Sequence, residues 1–222
     1  MKPDLTPDPP PGLVAAQRVA VGAAEHAIRT AAPGTSEREL SLLAEAHARS
    51  LGATDFWTIT NVGFGVGSLR CFPTEPPTDR TLWSLDVGHV DVHPVTRDGW
   101  WGDCTRTLVT GEVPEYVEMQ GEMEEAHRLL LDSTRPGMPA NELYGLFARD
   151  CERYGLLALD RLHNIGHSLG RSTSYDLGYI DRHNTTPMWG AWAIEPFFGN
   201  HLYGVKLEDV VWFGSEQCRV VR

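Results

Sequence analysis

The chain has 222 residues, 41% of them hydrophobic and 22% charged, with a formal net charge of −11. That length suits one well-cored domain or two small ones, and the acidic balance argues against a nucleic-acid or anionic-membrane surface, since either needs a basic patch. No apolar run reaches the roughly 20 residues of a membrane helix, and Cys71, Cys104, Cys151 and Cys218 are too widely spaced for a disulfide framework or a thiolate zinc site, so a cytoplasmic protein with reduced thiols is expected.

The first residues, MKPDLTPDPPPG, lack the apolar core of a secretion signal, and their prolines predict an exposed extended tail over residues 1–11. One domain is expected over 12–222. A helical stretch from Leu13 to Ala31 is followed by a Pro33–Gly34 turn and a second helix, opened by a capping box of Ser36 and Glu39 and closed by Gly52. Strand-like sequence runs from Thr54 to Val62. The same order recurs 103 residues later: a helical stretch from Tyr116 to Ser133, a Pro136–Gly137 turn, a helix closed by Gly155, and strand-like sequence from Leu156 to His163. Glu39, Leu40 and Leu43 match Glu142, Leu143 and Leu146 in this register. Two related halves about a pseudo-twofold axis are implied.

Between the halves, LWSLDVGHVDVHPV (Leu82 to Val95) is strand-prone, and residues 96–99, TRDG, signal a turn into a returning strand from Trp100 to Val109. A turn centred between Arg97 and Asp98 puts Asp103 opposite residue 92, or opposite Asp91 if one residue bulges. Strand alternation then places His89, Asp91 and His93 on one face and Asp86 on the other. His89 and His93 are candidates either for substrate handling beside a metal or for buried hydrogen-bonded histidines. In HNIGHSLG, His163 and His167 are four apart, but Gly166 and Gly170 make a regular helix doubtful, so one ligand and one neighbour is the expectation. Glu195 ends an apolar run in AIEP. Glu208 lies in GVKLEDVV, on the same strand face as Lys206.

Asp91, Asp103, His167, Glu195 and Glu208 form a donor set of four hard carboxylates and one imidazole. That mix suits divalent first-row metals rather than a structural thiolate site. Neither half carries all five, so the site is expected between the halves. Trp100, Trp101, Trp189 and Trp192 flank these positions, as pocket lining or as core. Arg70, Arg171 and Arg182 are candidate carboxylate anchors or solvated surface groups.

The order Asp, Asp-x-Thr-Arg, His-x-x-Gly-His, Ile-Glu-Pro and Glu-Asp, over nearly the whole chain from Gly12, resembles the pita-bread metallohydrolases: methionine aminopeptidase, aminopeptidase P, prolidase and creatinase. The resemblance implies an α+β pita-bread fold, with two helix-helix-strand halves around a curved antiparallel sheet, and only the minimal catalytic domain. It implies two divalent ions per chain (Mn, Co, Fe or Zn) and a bridging hydroxide acting on a short peptide or other small molecule. Asp91 and Asp103 would bind one ion and reach the second, His167 would complete the second site, and Glu208 would bridge. Glu195 would be both ligand and proton shuttle, and His163, the non-ligand histidine four residues before His167, a second catalytic residue. Asp86, in LDVG, competes with Asp91 for the first ligand position. The Asp91–Asp103 separation is one residue longer than usual, which predicts a bulge. Two peptidase histidines are missing: Ser174 stands seven residues after His167, and residues 67–73 hold none. The resemblance therefore predicts an aminopeptidase or Xaa-Pro peptidase, with a creatinase-like C–N hydrolase or a lyase on a small carboxylate as the alternative. A fold-keeping binding module is disfavoured, because it would have shed the ligands. A homodimer is the default for such an enzyme.

Overall fold

A computed structural model describes residues 5–222. In chain order the elements are α1 (Pro11–Thr30), α2 (Glu37–Ser50), β1 (Ala53–Phe56), β2 (Asn61–Phe64), β3 (Asp86–Val92), β4 (Pro94–Thr96), β5 (Cys104–Thr110), α3 (Pro114–Asp132), α4 (Ala140–Tyr154), β6 (Leu157–Ala158), β7 (Asn164–Leu169), β8 (Ser174–Asp181), β9 (Gly190–Ile194), β10 (Phe197–Gly199), β11 (Gly204–Lys206), β12 (Asp209–Phe213) and β13 (Cys218–Val220).

The local signals act as their chemistry requires. Pro11 opens α1, where its missing N–H has no intrahelical partner to lose. Ser36 caps α2, its hydroxyl accepting from the Glu39 N–H while the Glu39 carboxylate accepts from the Ser36 N–H. Gly155 closes α4 at φ 66°, a left-handed position that glycine takes without steric cost. Of the stretch expected as an exposed tail, residues 1–4 lie outside those described. The rest is pinned: Leu5 packs near Leu13 and Trp212, the Thr6 carbonyl accepts from Trp212 Nε1, and Asp8 pairs with Arg219.

The two halves superpose in register along the chain. Displaced by 103 residues, α1 and α2 fall on α3 and α4, β1 on β6, β2 on β7, β3 on β9, and β5 on β12. The sheet orders agree, β2-β3-β5 in one half and β7-β9-β12 within the β13-β12-β9-β7-β8 sheet of the other, with all pairings antiparallel. The halves join where β5 meets the chain between β11 and β12. Glu208 N–H donates to the Thr105 carbonyl, and Thr107 Oγ1 donates to the Lys206 carbonyl. Each half has its own core, one built on Trp192, Phe147, Phe198 and Phe213, the other on Leu40, Phe64, Leu82 and the alanine face of α1. Truncating one of the buried phenylalanines to Ala costs about 3–5 kcal/mol in such packing.

The hairpin departs from expectation in register. Partner numbers across β3 and β5 sum to 196, from Asp86↔Thr110 to Val92↔Cys104, and no bulge interrupts them. The loop is Arg97–Asp98–Gly99 with Gly99 at φ 81°, a three-residue turn centred on Asp98. The same sum, carried one step further, sets Asp103 across from His93 rather than from residue 92 or Asp91. The regular part of the returning strand starts only at Cys104: residues 100–102 pair with residues 94–96 in the same register through isolated contacts, and Asp103 is taken up by Gln17 of α1. Thr54 to Val62 resolves into two short strands, and the stretch from Leu156 to His163 yields only β6.

Burial also sets a pH dependence. His127 on α3 is 6% exposed, and burial lowers its pKa to about 4, although the Asp209 carboxylate 4.0 Å away acts in the other direction. His89 is fully buried and likewise pushed down to about 4 by burial. Both stay neutral in the fold while the unfolded chain takes up protons near pH 6.5. Stability is therefore present above that value and lost as pH falls towards 4, by about 2 kcal/mol per histidine at pH 5. Urea unfolding at pH 7 and pH 5 should show this loss, and His127→Gln should remove its share. An unchanged midpoint would refute the assignment.

Candidate metal centre

The five expected donors converge where the halves meet. Asp91 ends the inner face of β3, Asp103 directly precedes β5, His167 lies in the middle of β7, Glu195 follows β9, and Glu208 sits between β11 and β12. Backbone bonds fix the irregular positions: Glu195 N–H donates to the Ile165 carbonyl at 2.8 Å and Glu208 N–H to the Thr105 carbonyl at 3.1 Å. Asp103 is held from α1, with Gln17 Nε2 donating to its carbonyl at 2.6 Å and its own N–H donating to Gln17 Oε1 at 3.0 Å. Thr105 Oγ1 donates to Glu208 Oε2, and Arg106, paired with Asp209, donates to the Glu208 carbonyl. Gly166, beside His167, has φ 144°, and a Cβ there would lie 2.0 Å from the Ala193 carbonyl oxygen. Only glycine lets β7 and β9 approach so closely, so the glycine that argued against a helix around His167 serves a strand.

Four of the five, joined by His93, form two overlapping groups, Asp91–His93–Asp103 and Asp103–His167–Glu208, with the donor atoms of each group within 4.8 Å of one another, and Glu195 belongs to neither. His167 Nδ1 lies 3.0 Å from the Ser168 carbonyl, which assigns the N–H to that nitrogen and turns Nε2 to the carboxylates, 3.4 Å from Asp103 Oδ2 and 3.7 Å from Glu195 Oε1. Among the described residues, Asp91 Oδ1, both oxygens of Asp103 and Glu208 Oε1 are buried without a hydrogen-bond partner. Buried carboxylate oxygens left this way cost several kcal/mol unless a cation faces them. The donor chemistry therefore fits divalent metal ions.

The electrostatics of the cluster are those of acidic groups crowded out of water. Burial drives Glu208 far above the usual carboxylate range, and the nearby Asp103 and Glu195 charges push it further. Burial also raises Asp103, against the pull of His167 and His93. Burial opposes protonation of His93 and His167, yet the adjoining carboxylates outweigh it and raise both. Asp91 goes the other way: burial would raise it, but His93 and Lys206 hold it well below its ordinary value.

A cavity of about 230 Å³ opens onto this centre, lined by Asp91, His93, Asp103, His167, Glu195 and Lys206, with Trp57, Tyr175, Tyr179 and Asp160 on its walls. Several of these were not foreseen as site residues. Lys206 is the cation of the pocket, 3.1 Å from Asp91 Oδ2 and 2.7 Å from Glu195 Oε2, and its sharing a strand face with Glu208 was the available signal. Trp57 stacks on Trp101 and meets the His93 and His167 rings edge-on, a placement no local pattern announces. Gln17 is hidden as one polar residue on an apolar helix face.

Other expected residues lie elsewhere. His163 sits exposed on a turn at φ 55° and does not line the cavity, although its neighbours Asp160 and Leu162 do. His89 lies edge-on to Phe197 and lines no part of the cavity; being fully buried, it cannot meet a substrate. Asp86 points to the opposite face and pairs with Arg80 at 2.8 Å. Trp192 is core, Trp189 covers Gly137, and Trp100 borders a separate cavity. Arg171 donates to the Asp98 carbonyl, Arg182 lies beside His183, and Arg70 lines a different cavity.

The model of metallopeptidase family M24 matches residues 12–214. The chain belongs to that family. As an M24 chain, it is 32% identical to the methionine aminopeptidase of Chlamydia muridarum over 95 residues, a stretch covering 42% of this chain and 32% of that protein. Solved structures align over far more of it. Dipeptidase PepE from Mycobacterium ulcerans matches with a TM-score of 0.85 at 23% identity, over 95% of this chain and 57% of that one. Prolidase from Pyrococcus furiosus matches at 0.83 and 24%, over 95% and 62%. Methionine aminopeptidase from Rickettsia prowazekii matches at 0.77 and 16%, over 94% of both chains. The chain thus spans about three-fifths of the dipeptidase and prolidase chains, and a third of the curated relative lies within its aligned stretch. These likenesses bear out the α+β pita-bread architecture. Among the described residues no helix is long and apolar enough to cross a membrane.

Proposed function

We propose that the cavity is the active site of a metal-dependent hydrolase of the aminopeptidase or Xaa-Pro peptidase class, acting at the N-terminal end of short peptides. The observation that carries this is the set of buried, unpartnered oxygens of Asp91, Asp103 and Glu208 clustered with the imidazole nitrogens of His93 and His167, at a pocket that Asp91 and Asp103 help to line. Two divalent ions of the Mn, Co, Fe or Zn class, held by Asp91, Asp103, His167, Glu195 and Glu208, would supply Lewis-acid polarisation of the scissile carbonyl and a lowered pKa for the attacking water.

The chain's own groups do the rest. Glu195 is the most accessible of the five donors, its side chain 18% exposed, so it can take the proton of the attacking water and pass it to the leaving nitrogen. Trp57, Tyr175 and Tyr179 give the substrate an aromatic wall and exclude water from the reacting bond. The small cavity favours a short ligand over a folded chain. The net charge of −11 and the four free cysteines support action in a reducing, cytoplasmic compartment without nucleic-acid or membrane partners. Exposed Trp83 and Leu85, beside β3, offer apolar surface to a second copy, in keeping with a homodimer.

The test is a substrate panel with the cobalt- or manganese-loaded chain: peptides with N-terminal Met, Xaa-Pro dipeptides, and small guanidino or amino acids. Release of an N-terminal residue, abolished by a chelator and restored by metal, is the expected result. Cleavage confined to the non-peptide compounds would replace the peptidase reading with creatinase-like C–N hydrolysis, which the missing histidines at Ser174 and residues 67–73 would permit.

A further inference from the structure

Asp91 enters the centre with only one oxygen free. Its Oδ2 is occupied, with Lys206 Nζ at 3.1 Å and Cys71 Sγ donating at 3.1 Å. Its Oδ1 has no hydrogen-bond partner among the described residues. A cation on this side is thus denied the second oxygen of that carboxylate. Asp103 Oδ1 is likewise unpartnered, and between the two stands His93 Nε2, 3.2 Å from Asp91 Oδ1 and 3.5 Å from Asp103 Oδ1.

His93 is two residues beyond Asp91 and shares its strand face, and the hairpin register sets it across from Asp103. It is 5% exposed and packed edge-on against Trp57, so its ring is held rather than mobile. Three donors of ligand chemistry therefore point at one spot. On the other side, Asp103 Oδ2 faces His167 Nε2 with Glu208 nearby, and the two spots share Asp103.

We propose that His93 is a metal ligand, completing a first cation position with Asp91 and Asp103 beside the Asp103–His167–Glu208 position. Each position then carries one imidazole. Lys206 confines Asp91 to a single ligating oxygen, and the His93 nitrogen takes the place of the second. An oxygen-only position would suit manganese, whereas an imidazole at both positions shifts preference towards zinc, cobalt or iron. This inference rests on the reading of the cavity as a metallohydrolase site.

The experiment is equilibrium dialysis of the metal-free full chain against Co²⁺, comparing wild type with His93→Ala, together with X-ray absorption of the two-cobalt wild type. Wild type should bind two ions. His93→Ala should keep one at unchanged affinity and bind the other at least about 100-fold more weakly. X-ray absorption should count two imidazoles per pair of cobalt ions. Two ions bound by His93→Ala as by wild type, or one imidazole per pair, would overturn the assignment of His93 and leave the proposed function standing. A wild-type chain that takes up no cobalt would remove both. If the variant misfolds, the imidazole count on the wild type decides alone.

Discussion

Glu195→Gln should lower kcat by about 10³-fold, or roughly 4 kcal/mol of barrier, while the chain keeps most of its bound metal. The geometry separates these two effects. Glu195 lies at the solvent side of the centre, with Oε1 3.7 Å from His167 Nε2 and Oε2 2.7 Å from Lys206 Nζ. Glutamine has nearly the same shape, and its amide oxygen still accepts from Lys206, so the strand end and the lysine remain in place. Asp103, His167 and Glu208 are untouched and continue to hold a cation. What glutamine cannot do is take up a proton and release it to the leaving nitrogen. The measurement is kcat beside metal content by elemental analysis for both proteins. Turnover at the wild-type level would remove Glu195 from the proton path, and loss of all metal would make it chiefly a ligand.

The second large effect distinguishes Asp91 from Asp86, two aspartates five residues apart on one strand. Asp86→Ala should destabilise the protein by about 3–5 kcal/mol and leave metal content unchanged. Its carboxylate is 2% exposed and accepts from Arg80 Nη1 at 2.8 Å, Arg80 Nη2 at 3.1 Å, Trp83 N–H at 3.0 Å and Val87 N–H at 3.1 Å. Removing it leaves a partly buried guanidinium and two backbone N–H groups without that acceptor. For a chain of this length the loss corresponds to a fall in Tm on the order of 10 °C. Asp91→Ala should instead reduce bound metal from two ions to one or none. It also leaves Lys206 with Glu195 as its remaining carboxylate partner, so the residual cation position is altered electrostatically as well. Metal titration and thermal unfolding of the two variants give the comparison. Equal metal losses would mean that both aspartates serve the centre and that the strand's two faces are not separated as the register requires.

Much of the frame was legible along the chain because it depends on local chemistry. The Ser36–Glu39 capping box, the Pro-Gly turns at Pro33 and Pro136, and the glycines closing α2 and α4 act within a few residues of themselves. The 103-residue displacement exposed the pseudo-twofold arrangement, since a repeated set of local signals must build the same unit twice. Alternation along β3 placed Asp91 and Asp86 on opposite faces, a consequence of backbone pleat alone. The register was harder. A turn of three residues rather than two changes the pairing sum by one, and that single step, with no bulge, moved Asp103 from opposite residue 92 to opposite His93.

The sequence by itself determined the donor types, their order and the two-half architecture, because ligand chemistry and helix signals are properties of residue identity and near-neighbour spacing. The tertiary structure alone decided where those side chains lie and what they face. It turned His163 out to solvent, sealed His89 inside the core, brought Lys206 onto Asp91 and Glu195, and set His93 between two unpartnered carboxylate oxygens. These outcomes depend on where β5, β7 and β11 meet across more than 100 residues of chain. Charge balance in a buried site is fixed by distance and exposure, which spacing along a sequence does not contain.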